Sequence, residues 1–176
     1  GYNKAGQMTT VVDNLNRKMT FFYNSGGKVE KIVGENGKTC EYKYDGFSLV
    51  SRKNSEGKVY KYVYSTNGRY NLIEVQFPDK TSMKIDYNEV AKGETVKSLT
   101  DRDGTTTKYS YENDGVEGLY RSTSLVVKGT DGKEISKSKY EYWDKAKADG
   151  ERYTYKMSTE IDGDKVETVY NECCGL

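Results

Sequence analysis

The sequence predicts an all-β fold: an antiparallel array of β-hairpin repeats, about 14 strands coiled into an open spiral sheet or partial barrel. Three observations predict it. Tyrosines that precede a turn recur at Tyr2, Tyr23, Tyr44, Tyr64, Tyr87, Tyr111, Tyr142 and Tyr170, at spacings of 21, 21, 20, 23, 24, 31 and 28. A period near 21 is too short for a βαβ unit and fits two strands and two turns. Between the tyrosines, glycine-bearing turns alternate with β-forming runs. In residues 57–68, Gly-Lys-Val-Tyr-Lys-Tyr-Val-Tyr-Ser-Thr-Asn-Gly, alternation puts Tyr60, Tyr62 and Tyr64 on one face and Lys61 and Val63 on the other. Ser65-Thr66-Asn67-Gly68 then turns the chain. The third observation is compositional. Only 34% of the chain is apolar and 17 of those residues are tyrosine, so aliphatic core material is scarce. Tyrosine covers a half-wet surface with its ring while its hydroxyl stays hydrated.

Taken in order, the strands are expected at about 7–12, 17–23, 28–33, 38–44, 47–52, 58–64, 69–77, 81–87, 94–100 and 105–111. Four longer strands follow at about 119–128, 133–143, 151–161 and 165–170. The turns are rich in Asn, Asp and Gly, whose side-chain-to-backbone bonds and positive φ suit tight reversals. Pro78 belongs to a turn, outside any hydrogen-bonded ladder. Longer loops are expected at 88–93 and 112–118. Residues 144–150 make a further turn, and within it 144–149 is the only helix-tolerant stretch, too short to stand alone. Residues 1–111 form the regular part, with repeats of about 21 residues, and 112–176 form divergent, longer hairpins continuing the same sheet. Fourteen strands about 4.8 Å apart span roughly 65 Å, and accumulated twist curls a sheet of that width.

Alternation also predicts the faces. One carries Met19, Phe21 and Tyr23; Cys40, Tyr42 and Tyr44; Met83, Ile85 and Tyr87; Tyr109 and Tyr111; Tyr153 and Tyr155. Neighbouring rings on that face are expected to stack as an aromatic ladder. The opposite face, with Lys18, Thr20, Thr39, Glu41, Lys43, Lys84 and Asp86, is expected to be wet.

Composition excludes several functions. Lys plus Arg number 28 and Asp plus Glu 27, a net charge of +1 that gives no electrostatic argument for nucleic acid or an anionic membrane. No apolar run approaches the roughly 20 residues of a membrane span. The chain lacks histidine, which removes serine–histidine and cysteine–histidine catalysis. Three cysteines, Cys40, Cys173 and Cys174, are too few and too badly spaced for zinc, although the adjacent pair is able to form a vicinal disulfide. Asp101/Asp103 and Asp162/Asp164 invite a reading as catalytic or cation-binding carboxylates, yet both pairs sit beside glycine in hairpin turns. Turn chemistry accounts for them. No enzymatic activity, cofactor or metal site is expected. No signal peptide is present, and the chain opens in mid-pattern at Gly1-Tyr2 and stops abruptly at Leu176, as an excised piece of a longer protein does.

Tyr-Asp/Asn-x-x-Gly followed by a hydrophobic strand occurs here as Tyr2-Asn3-Lys4-Ala5-Gly6 and Tyr23-Asn24-Ser25-Gly26-Gly27. It is varied as Tyr44-Asp45-Gly46 and Tyr64-Ser65-Thr66-Asn67-Gly68, and an inner half-repeat runs from Asp101 to Tyr111. This pattern resembles the Rhs/YD-repeat family, over residues 1 to about 111 and more weakly beyond. In that family the repeats form β-ribbons that spiral into hollow shells, in bacterial polymorphic toxins, insecticidal toxin complexes and teneurins. The resemblance implies a non-catalytic structural segment of a large exported bacterial protein, secreted or at the cell surface, in a shell that encapsulates or displays a toxin or effector. Its partners would be the flanking repeats and an enclosed toxin polypeptide. The family's self-cleaving segment, with an Asp-Pro-x-Gly-Leu core, has no counterpart, since Pro78 follows Phe77. A toxin payload is also missing, so neither activity carries over.

A second function class stays open. Tyr60, Tyr62 and Tyr64, and Tyr140, Tyr142, Trp143, Tyr153 and Tyr155, are candidates for an aromatic face that binds a glycan or a partner, as an adhesin does. The competing reading is that they pack across strands. The first and last strands, about 7–12 and 165–170, read as edges rich in β-formers, which favours self-association edge to edge.

Overall fold

The computed structural model describes residues 1–88, 95–113, 120–147 and 150–171. Fourteen strands are present: β1 (Thr10–Val12), β2 (Lys18–Tyr23), β3 (Val29–Val33), β4 (Thr39–Asp45), β5 (Ser48–Lys53), β6 (Val59–Tyr64), β7 (Leu72–Gln76), β8 (Ser82–Asn88), β9 (Thr95–Thr100), β10 (Thr106–Asn113), β11 (Tyr120–Lys128), β12 (Glu134–Ala146), β13 (Arg152–Ile161) and β14 (Asp164–Val169). They form one sheet, in the order of the chain. No helix occurs among the described residues. The expected fold class and strand number are both observed. Two compact units, 1–83 and 84–176, make up the chain.

In the first unit, β1 to β7 pair antiparallel in succession. One turn closes most of these hairpins, and Asn24 shows its construction. The Asn24 N–H donates to the Lys28 carbonyl at 2.9 Å, and the Gly27 N–H returns to the Asn24 carbonyl at 3.0 Å. The Asn24 side-chain oxygen accepts the Lys28 N–H at 3.0 Å. Gly27 has φ 76°, which a glycine adopts without steric cost. The same backbone pair recurs at Asn3, Asp13, Gly34, Asn54 and Phe77. After Phe77 the left-handed position is held by Lys80, at φ 70°.

Each connection that carries a tyrosine into the next strand adds a β-bulge. Tyr23 opposes Val29 while Phe22 opposes Lys31, so Glu30 is the extra residue. Tyr44 opposes Leu49 and leaves Val50 extra. Tyr64 opposes Leu72 and leaves Ile73 extra. Bulges interrupt the ladder and raise local twist.

Burial is shallow, as the composition predicts. Val75, 8% exposed, is the only buried hydrophobic residue among those described. Phe21, Tyr23, Cys40, Tyr42 and Tyr44 are half-buried, while Lys18 and Lys43 on the other face are exposed. The two faces therefore differ in the expected sense at these positions, although Met19 on the tyrosine face is exposed and Thr20, Thr39 and Glu41 on the polar face are half-covered.

In the second unit β8 to β14 pair antiparallel in succession. The bulge recurs once in the same form: Tyr87 opposes Val96 and Lys97 is extra. The later strands lengthen to nine, 13 and ten residues in β11, β12 and β13. In the first unit β1 starts at Thr10 and not at 7, and β7 starts at Leu72 and not at 69, because the reversal before it extends through Tyr70 at φ 56°. Two expected boundaries of the second unit are also corrected. Residues 144–146 continue β12 instead of starting a turn, because Asp144 pairs with Thr154 after a bulge at Trp143/Asp144. The reversal there begins at Lys147, whose N–H donates to the Glu151 carbonyl at 2.7 Å. β10 runs to Asn113, two residues past Tyr111, because Glu112 and Asn113 still find partners in Ser122 and Arg121. Most of the expected loops at 88–93 and 112–118 lies outside the described residues, as do Cys173 and Cys174.

Candidate functional site

The sequence pattern points to tyrosines, and the structure gives one class of them a common role. The Tyr44 hydroxyl donates to the Val29 carbonyl at 3.0 Å. Val29 is the residue opposite Tyr23, beside the bulge. The Tyr64 hydroxyl donates to Leu49 at 3.0 Å, and Leu49 lies opposite Tyr44. The Tyr23 hydroxyl donates to Met8 at 2.7 Å, and Met8 lies opposite Tyr2. In the second unit Tyr111 donates to Val96 at 3.0 Å, and Val96 lies opposite Tyr87. Donor and acceptor are 15 residues apart every time. Each tyrosine thus satisfies a carbonyl at the point where the preceding repeat breaks its ladder. A buried backbone carbonyl needs such a partner. Burial pushes the Tyr64 hydroxyl above the ordinary tyrosine range.

These clasps replace the expected aromatic ladder. Tyr23, Tyr44, Tyr64 and Tyr111 make no ring contact with one another. The reason is strand order: β3 lies between β2 and β4, and β5 between β4 and β6. Tyrosines on alternate strands are about 10 Å apart, too far to stack.

Tyr60, Tyr62 and Tyr64 share one face of β6, as alternation requires. Tyr60 meets Phe77 edge-on, ring centroids 6.1 Å apart. Its ring also lies 5.1 Å from the Arg52 guanidinium. Tyr62 pairs with Val75.

The group around Trp143 divides. Tyr140 and Tyr142 lie on one face of β12, and the adjacent Trp143 points to the other. Trp143 packs against Tyr120, 5.4 Å between centroids, with Lys156 Nζ 4.6 Å from its ring. On the same face Tyr120 donates to Glu141 at 2.8 Å, and Lys139 pairs with Glu141 at 2.8 Å. Lys139 and then the Tyr120 hydroxyl hold the Glu141 carboxyl below its usual range, against burial. The Tyr142 ring sits 4.9 Å from the Arg121 guanidinium, which also pairs with Asp144. Tyr153 pairs with Lys145, whose ammonium lies 4.0 Å from the Tyr155 ring. Tyr120 and Lys156 escaped the sequence reading because register, which brings them to Trp143, is not written in either strand alone. That consecutive Tyr142 and Trp143 cannot share a face was legible from the pleat.

The carboxylate pairs divide: Asp101 and Asp103 serve their own turn, whereas Asp162 ties its turn to β12 and Asp164 opens β14. Asp103 accepts the Thr105 N–H at 2.8 Å, and Thr105 holds its carboxyl below the usual range. Asp101 accepts the Arg102 N–H at 2.7 Å. Asp162, at φ 50°, accepts the Lys137 N–H at 2.6 Å and the Ser136 hydroxyl at 3.2 Å. Among the described residues no three His, Cys, Asp or Glu side chains gather as a metal-ligand set. No helix among them is long and apolar enough to cross a membrane.

No family model matches the sequence. No curated protein matches it either. Among solved structures, a chain of a Tc holotoxin pore of Photorhabdus luminescens, determined as a point mutant, matches 96% of this chain at a TM-score of 0.57 and 11% identity. The match covers 9% of that chain, so this protein spans a small part of its structural neighbour. At this identity the likeness is one of fold.

Proposed function

We propose that this chain is a non-catalytic structural segment of a large exported bacterial Rhs/YD-repeat protein, a stretch of β-wall that encloses or displays a toxin or effector. The observation that carries the reading is the clasp. Its 15-residue separation is constant, whereas the step from a tyrosine to its opposite residue varies from five (Tyr44 to Leu49) to nine (Tyr87 to Val96). Each repeat is thus closed by the one after it, which is how an extendable array is built. The Tyr-Asp/Asn-x-x-Gly pattern supports the same family, and the fold shared with a part of a Tc holotoxin pore supports a toxin-complex setting. In this reading the partners are the flanking repeats and an enclosed polypeptide, the protein is secreted or at the cell surface, and the segment carries no chemistry of its own.

Electron microscopy of the natural full-length protein tests it. The expected particle is hollow and β-walled, with this segment as one stretch of the wall. A full-length chain whose flanks lack the Tyr-Asp/Asn-x-x-Gly pattern, or a solid particle, overturns it. The adhesin reading is weighed by a glycan array. The cations seated beside Trp143, Tyr142 and Tyr155 count against open sugar-stacking platforms there.

A further inference from the structure

The tyrosine face of the first unit holds one cation that its surroundings do not explain. Arg52, on β5, lies between Tyr42 of β4 and Tyr60 of β6 in the strand register. It is half-buried, and its Nε is covered and finds no hydrogen-bond acceptor. Among the described residues Arg52 makes no ion pair; its guanidinium lies 5.1 Å from the Tyr60 ring and its charge acts on the Tyr42 hydroxyl. On the opposite face the neighbouring cation behaves otherwise: Lys53 pairs with Glu41 at 3.7 Å. The hydroxyls of Tyr42, Tyr60 and Tyr62 likewise have no partner within the described protein. Phe77 continues the same face with apolar surface over the buried Val75. A lone guanidinium among tyrosines, flanked by apolar side chains, is the composition that dominates protein-binding hot spots.

We propose that this face is a docking surface for a polypeptide segment bearing a carboxylate side chain, which seats between Tyr42 and Tyr60 against the guanidinium of Arg52, with an apolar neighbour lying on Phe77. Charge complementarity selects the acid, because the Arg52 guanidinium has no carboxylate partner among the described residues. A planar guanidinium meets a carboxylate through two parallel hydrogen bonds. The apolar surround selects a peptide over a sugar. Sugar stacking needs a bare ring face, and Tyr60 has the guanidinium beside its ring and Phe77 against it. The proposal rests on these side chains alone, so it stands or falls separately from the particle expected of the full-length protein.

The test is fluorescence anisotropy with the whole chain and two labelled peptides, one alternating leucine with glutamate and the other leucine with glutamine. The glutamate peptide is expected to bind about tenfold more tightly, the differential of a charge-assisted pair. Arg52→Gln is expected to abolish that preference, and Arg52→Lys to keep part of it, since lysine retains the charge without the fork. Both variants are checked by circular dichroism for the wild-type β spectrum. If Arg52→Gln loses the fold, Arg52→Lys and a Tyr62→Leu variant still decide, through a reduced preference and a weaker affinity respectively. Equal binding of the two peptides, or no binding of either at millimolar concentration, overturns the proposal. Tighter binding of a polyuronate than of the glutamate peptide overturns it in favour of an acidic glycan.

Discussion

The hydroxyl of Tyr44 reaches the carbonyl of Val29 at 3.0 Å, and Val29 is the residue that faces Tyr23 one repeat earlier. Two tyrosines 21 residues apart are thus tied through one backbone group. The contact explains why a chain short of aliphatic residues keeps a tyrosine before each outer turn. Its ring covers the half-wet face and its hydroxyl repairs the ladder where the bulge breaks it.

Removing that hydroxyl isolates its contribution. Tyr44→Phe is expected to cost about 1–2 kcal/mol, since it strands a half-buried carbonyl. Tyr62→Phe serves as the control, because the Tyr62 hydroxyl has no partner within the described protein, and its expected cost is under about 0.5 kcal/mol. Urea unfolding midpoints of the two variants decide. Equal losses would mean that the clasp contributes nothing beyond ring burial.

Loop length should matter more at one end of the hairpins than at the other. The step from Tyr64 to Leu72 is longer than that from Tyr44 to Leu49, so this connection already tolerates extra residues. Three residues inserted between Asn67 and Gly68 are expected to cost about 0.5–1 kcal/mol, a small loop entropy plus the long bond from the Arg69 N–H to the Asn67 side chain at 3.2 Å. The same insertion between Ser55 and Glu56 breaks the turn in which the Asn54 side chain accepts the N–H groups of Glu56 and Lys58, at 3.0 and 2.9 Å. There the expected loss is about 1–2 kcal/mol. Thermal unfolding of both insertions gives the comparison.

Lys80 offers the reverse experiment. It holds φ 70° where most sister turns hold glycine, as Gly57 does at 82°, and the Asp13 turn holds Asn16 at 61°. Its N–H still closes the turn on the Phe77 carbonyl at 3.1 Å. A left-handed β-carbon costs roughly 1–2 kcal/mol, partly offset by the entropy glycine loses on folding. Lys80→Gly is therefore expected to raise stability by about 0.5–1 kcal/mol, and Gly57→Ala to lower it by about 1 kcal/mol. A destabilised Lys80→Gly protein would show that the lysine side chain has a role the turn geometry does not reveal.

A pH series probes the second unit. Glu141 is held below the ordinary carboxylate value of 4.5 by Lys139 and then by the Tyr120 hydroxyl. A depressed carboxyl contributes stability above its unfolded value and loses it as pH falls through the folded one. The wild type is expected to exceed Glu141→Gln in urea midpoint at pH 7, and the gap is expected to close as pH falls below the ordinary glutamate value. A gap that persists into strong acid would place its origin in packing and not in charge.

What the sequence made legible follows from local chemistry. The turns announced themselves because Asn24 and Asn54 bond their own backbone, and the strands because Tyr60, Tyr62 and Tyr64 alternate with Lys61 and Val63. The regularity behind the uneven tyrosine spacings was hidden. The constant part runs from acceptor to donor, as from Val29 to Tyr44, and an acceptor carbonyl has no residue type. Register was hidden for a related reason. Tyr120 and Trp143 lie on different strands, and nothing in either segment names the other.

Edge pairing is the last expectation. β14 pairs with β13 along one side and is exposed over most of its length, with Val166 and Val169 66% and 64% exposed. A strand of that kind offers unpaired backbone groups and β-forming side chains to another chain. β1 is the weaker edge. The terminal ammonium of Gly1 donates to the Thr10 carbonyl at 2.7 Å, and the Thr9 N–H donates to the Gly1 carbonyl at 2.8 Å, so part of its outer side is already taken. Sedimentation at rising concentration is expected to show self-association that Val169→Lys reduces strongly and Val11→Lys reduces little. Both substitutions fall on exposed side chains, so the circular dichroism spectrum should stay that of the wild type. If the protein sediments as a strict monomer at high concentration, the edge of β14 is covered in solution. If Val11→Lys proves the more effective, association runs through β1, and the Gly1 contacts give way to a second chain.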